Sequence, residues 1–340
     1  MNQVDVRLDG HPDLPAEREA VVGSSGRWRR KQRGERLMVP KAEFTSYYGL
    51  PVLNPPTWKA PDIAGYLFLG GLAGASSTLA ATAELTGRHR LAAGLKAGAA
   101  GALGGSLYAL IHDLGRPKRF INMLRVCKPS SPMSMGSWLL ATYGPLAVLA
   151  AGSAVTGWLP GLGRVGTAGA ALVGPAVASY TAALIANTAV PTWHEAYREL
   201  PAVFVGSAAA SAGGLGLLVA PTAEAGPARR AAVLGAAVEL AATRRMERRL
   251  GLAAEPLRTG TGGRLMRLGK ALSIGGAALA IAGHRSRPVS AMAGAAFLGA
   301  AICTRFGIFT AGVASSLDPK YTVAPQRERL AARKAEEAQA

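Results

Sequence analysis

Cysteine, aromatic side chains and charge are all scarce in this chain, and each scarcity removes a class of explanation. The only two cysteines in 340 residues, Cys127 and Cys303, cannot form a metal cluster, and their positions suggest no structural disulfide. Aromatic residues make up 6% of the chain and no strand-like alternation runs along it, which argues against a membrane β-barrel with its aromatic girdles. Charged residues make up only 17%, too few for an ordinary soluble protein.

What the chain has instead is apolar length. Half of it is hydrophobic (49%), with 43 glycines, and long runs carry no charge at all: Ile63 to Ala83, Ala97 to Ile111, Pro129 to Gly163, Val165 to Trp193, Leu200 to Ala223 and Pro288 to Thr304. Crossing ~30 Å of hydrocarbon takes about 20 apolar residues in a helix, so these runs predict an all-α membrane bundle. Eight spans are expected, at 61–84, 91–113, 135–158, 165–187, 200–220, 228–246, 265–284 and 288–312, arranged as two four-helix halves. The sixth and seventh are the weakest, because Glu239 interrupts one and the uncharged part of the other is short. A basic segment over 1–60 and a tail over 315–340 flank a membrane domain over 61–314.

The net charge of +18 raises the possibility of a nucleic-acid partner, but its placement follows the membrane. With eight spans, 29 Lys and Arg residues fall on the side of the termini and 7 on the other. By the positive-inside rule both termini are cytoplasmic, in a bacterial inner membrane, and nucleic acid is not expected as a partner. The basic run Arg27 to Arg33 lies far from the first apolar stretch, which excludes an ordinary signal peptide and makes Arg29-Arg30 a poor export signal.

Small residues four apart, at Gly70 and Gly74, Gly94 and Gly98, and Gly101 and Gly105, predict close helix packing. The clusters Gly213-Gly214-Leu215-Gly216 and Gly260-Thr261-Gly262-Gly263 lack the flanking strand of a nucleotide fingerprint.

Helix direction gathers the polar groups. The first span starts on the cytoplasmic side and the second ends there, so Asp62 and Tyr66, one turn apart, lie at the depth of His112 and Asp113. Gly136, Ser137 and Trp138 open the third span at that level, and Asn187, Trp193, His194 and Glu195 follow the fourth. Such a set suits a lipid-soluble carrier like a quinone, which needs donors at its carbonyls and a proton exchanger active near neutral pH. His112 can exchange that proton, Asp113 can hold its ring, Tyr66 offers a phenolic donor and Arg116 can pair with Asp113. Blander readings stand beside this one. Asp113 with Arg116, Lys118 and Arg119 can be an interfacial ion network, and Tyr47, Tyr48, Trp58 and Tyr66 an aromatic belt. Trp193-His194-Glu195 can be an interfacial turn, and Glu239 a buried polar contact. A b-type haem needs facing imidazoles inside the bundle, whereas His112 and His194 lie at one interface, so no haem or metal is expected on this chain.

Four blocks resemble the NrfD/PsrC family, the membrane subunit of polysulfide reductase-type complexes. They are Tyr47 to Leu53 running on to Tyr66 to Gly74, His112 to Trp138, Asn187 to Glu195, and Arg305-Phe306 through Asp318-Pro319-Lys320-Tyr321. The resemblance implies a subunit that exchanges electrons between membrane quinone, either menaquinone or ubiquinone, and a four-cluster ferredoxin-like iron–sulfur protein. That protein is itself attached to a molybdopterin catalytic subunit. It also implies a quinone near the start of the first helix, with Asp62 and Tyr66 at the matching positions. Several family members dock their catalytic subunits outside the cytoplasm, whereas the charge count here places the site on the inner face, as in a formate dehydrogenase-like assembly.

The expected quinone site is therefore Asp62, Tyr66, His112, Asp113 and Arg116, with proton exchange at His112 and Asp113. Trp138, Asn187, His194, Glu195 and Glu239 form a second tier. The alternatives are a proton-translocating or transporter-like protein using Asp113, Glu195 and Glu239 as a relay, and a purely structural anchor.

Overall fold

A computed structural model of the chain describes residues 51–115 and 122–339. The described residues are helical and contain no strand. Over the expected segments lie the helices α1 (Ala60–Leu85), α2 (His89–Asp113), α3 (Pro132–Thr156), α4 (Pro160–Ala186), α5 (Leu200–Val219), α6 (Gly226–Arg249), α7 (Gly260–Ala282) and α8 (Arg287–Leu317). A polar helix, α9 (Lys320–Gln339), follows. Two compact units divide at Pro56–Thr57 and at Gly312–Val313.

Among the described residues six helices are long and apolar enough to cross a membrane: α1, α3, α4, α5, α7 and α8. This corrects the expected ranking of weak segments. The seventh qualifies, because α7 extends an apolar C-terminal half past its basic start, whereas the second does not. Within α2, Arg90, Lys96, His112 and Asp113 dilute the apolar residues, and in α6 Arg229, Arg230, Glu239 and the terminal arginines do the same. The third and fourth helices also begin earlier than the charge pattern suggests. Ser131 caps α3 by accepting a hydrogen bond from the Ser134 amide at 3.4 Å, with Pro132 at the first position, and α4 takes Arg164 into its first turns.

Within residues 57–312, α1 packs on α2 and α4, and α3 closes the ring against both. A second ring joins α5 to α6, α6 to α7, α7 to α8 where Gly269 faces Thr304, and α8 back to α5 where Gly214 faces Gly294. The α1 helix also packs on α5 and so belongs to both rings. Accordingly 72% of its most apolar window is buried, against 28% in α3 and in α7, whose apolar faces are left for lipid. Water does not drive helices together inside a bilayer, so close packing has to. Gly74 lies against the Gly174 backbone, Gly94 and Gly98 meet Val219 and Leu215, and Gly105 meets Leu69, so four of the six paired glycines serve tight contacts. Gly101, by contrast, faces open space. The two glycine clusters lie inside α5 and at the start of α7, without a strand beside either.

Candidate functional site

Two helix ends with opposite polarity meet at the start of α1. Pro61 sits in the first turn of α1, whose first-turn acid is Asp62, and His112 is the base of the last turn of α2. Each charge type is favoured at its own end by the helix dipole. Gly115, at φ +68°, takes the left-handed conformation that stops α2 directly after Asp113, and its amide donates to the His112 carbonyl at 3.2 Å.

The antiparallel α1–α2 pair brings these residues together. His112 Nδ1 lies 2.9 Å from Asp62 Oδ2, with the imidazole half exposed and the carboxylate largely covered (side-chain exposures of 53% and 13%). The Lys59 amide, at the cap of α1, donates to Asp113 Oδ1 at 3.4 Å. It is Asp62, therefore, that holds the His112 ring, the role expected of Asp113, because Asp113 is turned to the backbone of the α1 cap. One turn before His112, Tyr108 lays its ring parallel to the imidazole, with centroids 5.9 Å apart and planes at 15°. Tyr108 is largely exposed. The result is a flat aromatic wall beside an imidazole whose Nε2 edge is free of the Asp62 contact.

Tyr66 lies one turn deeper and is fully buried. Its phenol lies beside that of Tyr180 on α4, and its carbonyl receives the Ser106 hydroxyl at 3.5 Å. The hydroxyl end of the Tyr180 ring lies against Gly136, where even a β-carbon would clash. Tyr66 thus floors the site rather than opening onto its surface. Neither Tyr180 nor Tyr108 stood out in the sequence, although Gly136 at the start of an apolar helix was a signal that something packs against it.

The other expected residues have separate placements. Arg116, with Tyr47 and Tyr48, lies outside the described residues. Trp138 donates from Nε1 to the Val126 carbonyl at 3.4 Å, and the Ser134 hydroxyl accepts from the Lys128 amide and donates to Val126, so the distinctive 126–138 block ties its own loop to α3. Asn187 caps α4 and is exposed. Trp193 is the buried anchor, donating to the Ile308 carbonyl at 2.8 Å and stacked on Trp58, while His194 is exposed. Close by, Arg249 binds both oxygens of Glu199 at 2.8 and 2.6 Å. That bidentate guanidinium holds the Glu199 carboxyl below the usual carboxylate range, its burial opposing this only in part. Glu239 is buried in the second ring, accepting from Thr304 Oγ1 at 2.5 Å. Among the described residues no three His, Cys, Asp or Glu side chains converge as a metal-ligand set.

The sequence pattern of the family described as "Polysulphide reductase, NrfD" matches residues 53–236, more than half of the chain. The chain belongs to the NrfD family. Among curated proteins, none matches it. The matched region begins before α1 and ends within α6, so it contains Asp62, Tyr66, His112 and Asp113 and stops short of Glu239 and Arg305. Family membership and the six apolar helices make this a multi-pass membrane protein.

Proposed function

We propose that this chain is the quinone-reactive membrane subunit of a multisubunit molybdopterin and iron–sulfur oxidoreductase. The observation that carries the reading is the 2.9 Å contact between His112 and Asp62 at the junction of α1 and α2, in a chain of the NrfD family. Quinone reduction consumes two electrons and two protons, and quinol oxidation releases them. An imidazole held by a carboxylate exchanges such protons near neutral pH. Asp62 fixes the ring, His112 presents its free edge to a quinone carbonyl, and Tyr108 supplies the flat wall against which an apolar ring lies. Asp113 adds negative charge beside the imidazole, and Tyr66 and Tyr180 floor the site. Electrons pass to or from an iron–sulfur partner docked over this end.

In this reading α2 and α6 also cross the bilayer. They run 25 and 24 residues, ample for ~30 Å at ~1.5 Å per residue. Their polar side chains are met by partners, Lys96 by Glu84 at 2.6 Å and Glu239 by Thr304, which lowers the cost of burying them. With eight spans the termini share the cytoplasmic side of a bacterial inner membrane.

The test is quinone-dependent turnover of the assembled complex carrying His112→Ala or Asp62→Asn. Both variants are expected to lose turnover while the subunits still co-purify. Full turnover in both rejects the reading in favour of a structural anchor.

A further inference from the structure

Glu239 and Arg305 lie outside the family-matched region, and the quinone site uses neither. Both are deeply buried, at 3% and 1% exposure, in the interior of helices that are otherwise apolar around them. Charge at such depth is costly and usually functional.

Arg305 reaches from α8 between α1 and α5. Its Nη2 donates to the Phe204 carbonyl at 2.8 Å, its Nε to the Leu67 carbonyl at 3.4 Å, and its guanidinium carbon lies 3.7 Å above the Phe204 ring. Glu239 stands within Coulombic reach on α6, where Gly206 lets the α5 backbone approach closely. The groups acting on its carboxyl are Thr304 and Arg305 from α8 and Ser207 from α5.

If this were only a clamp between helices, its polar atoms would be satisfied. The clamp accounts for Arg305 Nε and Nη2 and for Glu239 Oε1. It does not account for Arg305 Nη1, which is buried without a hydrogen-bond partner among the described residues, and it leaves Glu239 Oε2 with only the Ser207 hydroxyl, which acts on the carboxyl without closing a hydrogen bond of good geometry. Polar groups left open or poorly met at that depth are costly, so their gathering around one carboxyl marks a site where something is exchanged.

We propose that Glu239 is a proton-exchanging carboxyl of the membrane interior whose protonation follows the redox state of the quinone. The second half of this statement rests on the quinone reading above. The step is a simple protonation: a hydronium of the aqueous phase gives up a proton, its O–H bond breaking to leave water, and an O–H bond forms at Oε2 of the carboxylate. Arg305 keeps its charge throughout, so the pair changes from neutral to positive when the proton binds. Electrons delivered by the iron–sulfur partner make the interior more negative, and that proton offsets them. The α1 helix links the two places, since the carbonyl held by Arg305 belongs to Leu67, next to Tyr66 and five residues from Asp62.

Infrared difference spectroscopy on the purified complex tests this through the C=O stretch of a protonated carboxyl. The band is expected to titrate with pH in the absence of quinone, and to change again when bound quinone is reduced. Glu239→Gln is expected to lose it. Thr304→Val, which keeps the carboxyl but removes its donor, is expected to retain the band at higher frequency. A band that persists in Glu239→Gln, or its absence in the wild type under both conditions, overturns the proposal. A band that titrates with pH yet ignores quinone reduction overturns the coupling. Failure of the quinone reading shows separately, as normal turnover in the His112 and Asp62 variants.

Discussion

His112 Nδ1 lies 2.9 Å from Asp62 Oδ2 although fifty residues separate them in the chain. The contact exists because α1 starts where α2 ends, with the acid at the positive end of one helix dipole and the base at the negative end of the other. It fixes the imidazole in one orientation instead of leaving it a loose surface histidine. Replacing His112 by Gln, which keeps polarity but cannot exchange a proton near neutral pH, is expected to lower quinone-dependent turnover by roughly 10²–10⁴-fold. Steady-state assays with quinol as donor check this, and a loss under threefold would remove His112 from the chemistry.

Gly136 offers a structural prediction close to the same site. A β-carbon there would enter the hydroxyl end of the Tyr180 ring, which also neighbours the Tyr66 phenol. Gly136→Ala should therefore cost about 1–3 kcal/mol, the usual range for overpacking. Thermal unfolding in detergent measures the loss, and adding Tyr180→Leu should recover part of it.

Trp193 should behave as a packing anchor and not as a redox residue. It is wholly buried between Trp58 and Phe309, with its indole nitrogen bonded to Ile308. Trp193→Phe keeps most of the ring and should cost about 1 kcal/mol through the lost hydrogen bond. Trp193→Ala should cost about 3–5 kcal/mol. Thermal unfolding of the two variants separates these sizes, and equal losses would contradict the assigned role of the indole.

The pair of Glu199 and Arg249 sets a pH dependence. Arg249 holds the Glu199 carboxyl below its ordinary range, so the folded state binds that proton less readily than the unfolded chain. The stabilisation is then complete above the ordinary carboxylate range, including neutral pH, and is lost as pH falls through the lowered value. Glu199→Gln should lower the melting temperature at pH 7 and flatten its acid-side decline. An unchanged acid-side slope would show that the pair contributes nothing measurable.

Much of the fold was legible because bilayer crossing demands length and low polarity, which a linear chain displays openly. Lys96 shows where that reading weakens. It falls inside α2, two turns from its start, where a charge normally argues against a span, yet Glu84 on the neighbouring helix meets it at 2.6 Å. At the site, the depth of Asp62 and His112 could be read from helix direction alone. Which carboxylate holds the ring could not, since Asp62 and Asp113 are equally placed by depth and differ only in the rotation of each helix. The same is true of Tyr66, whose burial under Tyr180 depends on α4.

Composition and spacing by themselves determined an all-helical membrane protein and the approximate bounds of its long apolar helices. Periodicity and hydropathy are local properties, and the bilayer acts on them segment by segment. Only tertiary structure decided that His112 meets Asp62, that Trp193 turns inward while His194 turns out, and that Arg305 reaches from α8 to carbonyls on α1 and α5. Those outcomes depend on the rotation of each helix about its own axis and on its distance from its neighbours, and both are set by packing among residues far apart in the chain.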